Sequence, residues 1–154
     1  MTFTQAFESQ KNGLQEQLTG DDVDLHLIAA ILMFAVVRAD GDEDHLELAH
    51  MIDIFRSRYT LSSQEIASLV TSARTASMSD HDLKRLAKKL CCHWGVMERR
   101  HLLNDFWLLA TADHDIKMDE RVVIKLIADN LQLEADDINL ACYQAEQRLE
   151  LNIS

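Results

Sequence analysis

Three carboxylates recur in one arrangement at two places in the chain. Asp40, Asp42 and Glu47 lie in Ala39-Asp40-Gly41-Asp42-Glu43-Asp44-His45-Leu46-Glu47. Asp113, Asp115 and Glu120 lie in Ala112-Asp113-His114-Asp115-Ile116-Lys117-Met118-Asp119-Glu120. Apolar stretches of helical spacing flank both, so each set falls in a helix-to-helix loop. Carboxylates gathered there repel one another, and those at the end of the incoming helix also face the negative end of its dipole. A positive group must offset this. An all-oxygen donor set suits calcium or magnesium, whereas softer metals want imidazole or thiolate. The loops are not EF-hands, because Asp40 and Glu47 are seven positions apart and the EF-hand spreads its ligands over a longer loop with a central glycine.

Capping is the competing explanation. Asp44 with Glu47 three residues later reads as a capping box and needs no metal. In the second copy Lys117 holds the corresponding place, and its side chain cannot accept a hydrogen bond, yet the Asp, Asp and Glu set recurs. A divalent cation, a basic partner, and capping with solvated charge therefore all stand as readings of these six residues.

Other reactive groupings are weaker. Glu47 with His50 and Glu98 with His101 form two Glu-x-x-His pairs of the type that di-iron carboxylate bundles use, but the further inward Glu ligands such a centre needs are missing. Cys91 and Cys92 are adjacent, a poor spacing for one tetrahedral zinc, so Cys91 and Cys142 read as small buried hydrophobes. No Gly-x-Ser-x-Gly elbow or phosphate loop is present, and no substrate is named by any motif, so the expectation is a protein that is not an enzyme. Lys84, Arg85, Lys88, Lys89, Arg99 and Arg100 form a basic concentration, read as a solvated face or as a patch for an anionic, membrane-associated or acidic partner.

The elements that position these residues follow from composition and period. With 154 residues and 47% hydrophobic content, the chain can bury one sizeable core. The absence of proline and the presence of only four glycines argue against an all-β protein and for helices joined by short polar loops. Twenty-six acidic against fifteen basic side chains give a net charge of -11, which repels phosphate backbones. Nucleic acid is thus an unexpected partner, and a divalent cation or a basic protein an expected one. Three cysteines in that arrangement do not suggest a disulfide framework, and the amino terminus lacks a cationic start followed by an apolar run. The compartment expected is the cytoplasm. The longest apolar run, Leu25 to Val37, is shorter than the roughly 20 residues a membrane span needs.

A loosely amphipathic helix is expected over Phe3 to Leu18, within an N-terminal extension of residues 1–23 that precedes the main domain, 24–154. Leu25 to about Ala39 reads as a central helix, apolar almost all round. Leu48, Met51, Ile52, Phe55 and Tyr59 mark the next. Ser62 with Glu65 opens another as a capping box, and Ser79 or Asp80 caps the one after, with Leu83, Leu86, Ala87 and Leu90 inward. From Val96 the order repeats. Leu102, Leu103, Phe106, Trp107 and Ala110 lead into the second acidic loop, and Val123, Ile124, Ile127 and Leu131 answer Met51, Ile52, Phe55 and Tyr59. Ile138, Ala141, Ala145 and Leu149 line the last helix. Two such copies plausibly pack about a pseudo-twofold axis, which would draw the acidic loops together.

On Ala39-Asp40-Gly41 with Glu47, Ala112-Asp113 with Ile116 and Glu120, and the turns Tyr59-Thr60-Leu61-Ser62 and Leu131-Gln132-Leu133-Glu134, the chain resembles the TerB-like family, small all-helical domains associated with tellurite resistance in bacteria. The resemblance covers about Asp24 to Ala145. It implies an all-α bundle of seven to eight short helices with both acidic motifs on one side, and a role in metal-ion binding or as a scaffold in stress response, not an enzyme. The sequence departs from the family pattern at His114, where glycine is usual, and at Glu43, where an apolar residue is usual.

Overall fold

The computed structural model describes residues 25–41, 45–59, 61–76, 78–112 and 115–153. The helix expected over Phe3 to Leu18 lies outside them, as do Glu43 and His114. Seven helices and no strand occur among the described residues: α1 (Leu25–Val37), α2 (His45–Arg58), α3 (Ser63–Thr75), α4 (Asp80–His93), α5 (Val96–Ala110), α6 (Met118–Asp129) and α7 (Ala135–Ile153). The all-α bundle expected from composition and repeat is the fold observed.

Helix α1 is the hub. Leucine, alanine and methionine favour the helix, and no Gly or Pro interrupts it. Ten of its thirteen residues are buried, including Ile28, Leu32, Met33 and Phe34, so no face is left for water. Helices α3, α4, α5 and α6 pack around it, with α2 touching it more lightly. Each large side chain so buried contributes about 1.5–3 kcal/mol. The helix ends where Gly41 adopts a φ of +90°, and its amide donates to the Arg38 carbonyl at 3.0 Å. A side chain at Gly41 would be strained in that conformation.

The repeat is real, but its register differs from the pairing of apolar residues drawn from the sequence. Asp40 and Asp113 are 73 positions apart, and the buried positions of α2 and α6 keep that interval: Glu47 with Glu120, Met51 with Ile124, Ile54 with Ile127, Phe55 with Ala128. The expected match of Val123, Ile124, Ile127 and Leu131 to Met51, Ile52, Phe55 and Tyr59 is one position out. Ile52 and Val123 are only half-buried, and Ile54 takes the inward place.

Two capping boxes fix the starts of α3 and α4. The Glu65 amide donates to Ser62 Oγ at 3.1 Å and the Ser62 amide to Glu65 Oε1 at 3.2 Å. Likewise the Asp82 amide donates to Ser79 Oγ at 3.2 Å and the Ser79 amide to Asp82 Oδ2 at 3.1 Å. These bonds hold both carboxyls below their ordinary range, the backbone bond contributing most.

The basic concentration is not one solvated face. Arg99 is buried and donates through Nη1 to the carbonyls of Leu131, at 2.6 Å, and Gln132, at 3.1 Å. It thereby satisfies the carbonyl end of the turn after α6, where Gln132 has a φ of +54°. Arg100 reaches Asp137 of α7 at 3.1 Å. Lys84, Arg85 and Lys88 are exposed and Lys89 half-exposed. Ser79→Ala removes a cap and should lower stability by about 1 kcal/mol in urea denaturation, while Ser63→Ala, one residue inside α3 and exposed, should change it by less than about 0.5 kcal/mol.

Candidate cation site between the acidic loops

The loops leaving α1 and α5 meet. Lys117, in the second loop, donates through Nζ to Asp40 Oδ2 of the first at 2.8 Å, across 77 positions of sequence. The Asp40 side chain is 20% exposed and that of Lys117 38%, so the pair is partly shielded from solvent and from salt. Lys117 holds the position of Asp44 in the first copy, where a carboxylate would have added to the repulsion. One positive charge has been substituted where the loops converge.

The other nominated carboxylates divide by environment. Glu47 and Glu120 are each 1% exposed. Glu120 Oε1 accepts from the Lys117 amide at 3.2 Å, the backbone half of a capping box. Capping therefore operates in the second copy through Glu120 although Lys117 cannot supply the side-chain half. Asp115 is exposed. Asp42 and Asp113 lie outside the described residues. Among the described residues no group of three or more His, Cys, Asp or Glu side chains is placed to hold a metal ion.

A di-iron centre does not fit the fold. His50, Glu98 and His101 are all exposed, so of the two Glu-x-x-His pairs only Glu47 faces inward, and two inward pairs are required. The cysteines are free thiols. Cys91 and Cys142 are half-buried rather than fully buried, and burial pushes both thiols up, which makes them poor nucleophiles.

A second charged site went unread in the sequence. Asp105, on α5, is fully buried, and Arg58 Nη2, at the end of α2, donates to its Oδ1 at 2.6 Å. The Asp105 Oδ2 atom is buried with no hydrogen-bond partner. Burial drives its carboxyl up to about 6, although Arg58 pulls the other way. Beside them Tyr59 is raised by burial and by the Asp105 charge, and its ring stacks on Trp94 at 6.1 Å and tilts against His26 at 4.8 Å. The signal available was position: Asp105 is three residues after Leu102 and four before Leu109, on the same inward stripe.

The architecture thus defines a class: an all-α bundle of two pseudo-repeats in which an acidic loop from each meets the other through an ion pair. The chain belongs to the family described as tellurite resistance protein TerB, whose profile matches residues 26–142. No curated protein and no solved structure matches it. No helix among the described residues is long and apolar enough to cross a membrane.

The buried Asp105 has a definite pH signature. Its carboxyl is raised on folding, so the stability it contributes is fully present below about pH 4 and is lost as pH rises through about 6. Asp105→Asn should therefore be more stable than the parent at pH 7.5, with the difference shrinking by pH 4.5, as read by urea denaturation at the two pH values. Arg58→Met, which leaves the buried carboxylate without its cation, should destabilise by about 3 kcal/mol at pH 7.5 and by less at pH 4.5.

Proposed function

We propose that this chain is a non-enzymatic interaction module serving bacterial stress response, in which the two acidic loops hold a divalent cation, calcium or magnesium, between the repeats. The observation that supports the reading is the Lys117 to Asp40 bond at 2.8 Å, because it makes one locus of two loops far apart in sequence, and that locus draws positive charge. The donor chemistry fits a hard ion: every nominated ligand is a carboxylate oxygen. Asp40, Asp42, Asp113 and Asp115 would supply the loop ligands, with Glu47 and Glu120 as the buried inner carboxylates. The ion would supply charge and crosslinking between the loops, and Lys117 would compete with it for Asp40. The net charge of -11 suits a basic protein partner for the same surface.

A metal-free adaptor is the second reading, and the same ion pair favours it, since the Lys117 ammonium already supplies compensation. Calorimetric titration of the whole chain with calcium and with magnesium separates the two. A cation site predicts saturable heat, weakened at least roughly tenfold in Asp40→Asn and in Asp113→Asn, and strengthened in Lys117→Ala by removal of the competing ammonium. The adaptor predicts no saturable heat in any of these proteins, with thermal stability indifferent to a chelator.

A further inference from the structure

Helices α6 and α7 both pack on α5 yet hardly touch each other. Between them is a cavity of about 380 Å³, lined at α5 by Trp107, a volume within the range of small-molecule sites. Its apolar wall comes from Ile124 and Ala128 of α6 and Ile138 of α7. Its polar rim holds Arg121, Lys125 and Asn139, against one carboxylate, Asp129, so a chain of net charge -11 presents a locally positive recess here.

Two independent observations point to a ligand. The first is the indole N–H of Trp107, a residue 5% exposed, which is buried with no hydrogen-bond partner. Water does not reach this donor, so it can be satisfied only by an acceptor carried in on an apolar body that also fills the recess. The second is the departure of this repeat from the other. Lys125 stands 73 positions after Ile52, which packs half-buried against the core in the first copy. There α2 and α3 pack on each other, whereas α6 and α7 stand apart. An apolar plug in one repeat is an ammonium at an open groove in the other, and Lys125 has no ion pair among the described residues. Arg121 shows what this edge accepts: its guanidinium lies 6.0 Å from the Trp107 ring centroid, and Nη1 donates to a carboxylate, that of Glu146, at 3.0 Å.

We propose that this cavity binds a small amphipathic carboxylate, its aliphatic body against Ile124, Ala128 and Ile138 and its carboxylate taken by Lys125 and the Trp107 indole N–H. The site is separate from the acidic loops and does not depend on a metal there.

Two-dimensional proton–nitrogen NMR of the full chain, titrated with sodium hexanoate and separately with hexanamide, tests this. The two indole resonances, of Trp94 and Trp107, are assigned with Trp107→Phe. The expected result is a saturable shift of the Trp107 indole resonance with hexanoate while that of Trp94 stays fixed, with binding roughly tenfold weaker for hexanamide and in Lys125→Met, which keeps the apolar stem but removes the charge. Lys125 is exposed, so its replacement leaves the fold intact, checked by the unchanged backbone spectrum. No saturable shift at Trp107, equal affinity for acid and amide, or undiminished binding in Lys125→Met would each overturn the proposal.

Discussion

A helix with no polar face cannot lie on a surface, and α1 is such a helix. Ile28, Leu32, Met33 and Phe34 point in different directions around it, and all are buried. Covering it takes neighbours from both halves of the chain: α3 and α4 on the first side, α5 and α6 from the second repeat. Once α5 lies on α1, the two acidic loops that follow them are brought to one region whatever their charges prefer. The electrostatic problem at the loops is thus a consequence of hydrophobic packing. The Lys117 to Asp40 bond relieves part of it without any change to the core.

Residues in the second repeat that differ from their counterparts 73 positions earlier carry much of the unusual chemistry. Leu32, in the centre of α1, corresponds to the buried Asp105; His26 to the buried Arg99; Phe34 to Trp107; Ile52 to Lys125; Asp44 to Lys117. In the first copy the ring of Phe34 lies under two guanidiniums, those of Arg38 and Arg74. In the second a single one, Arg121, stands over Trp107. One half keeps the apolar plan of the repeat while the other has taken polar groups into it, and each buried polar group is a specific demand on its neighbours.

Much of this architecture is legible in the sequence because it is set by local rules. The Ser62 and Ser79 boxes are written in four residues each, α1 in its uninterrupted apolar run, and the repeat in the spacing of two acidic loops. What escapes is whatever depends on a partner distant in sequence. Arg99 looks like one more surface cation until the carbonyls of Leu131 and Gln132 are brought beside it. Lys117 looks like a failed cap until Asp40 arrives from the other loop. Asp105 follows Asn104 and so reads as part of a polar pair, although its helical phase with Leu102 and Leu109 places it inside. The one-residue slip in matching α2 to α6 has the same origin, since apolar residues on both flanks of the stripe allow two registers and only tertiary packing selects one.

The buried pair of Arg58 and Asp105 explains why α2 meets α5 at one fixed height. A charge pair removed from water gains little net stability over an apolar pair of the same shape, so its retention is not accounted for by energy alone. Geometry accounts for it better. The apolar contacts between α2 and α5 tolerate small slides, whereas a 2.6 Å bond to a fully buried carboxylate does not. With the carboxyl raised to about 6 by its surroundings, the pair is nevertheless close to neutralisation under mildly acidic conditions. The register between the repeats, and with it the approach of one acidic loop to the other, is therefore held by an interaction whose strength depends on the proton concentration around it.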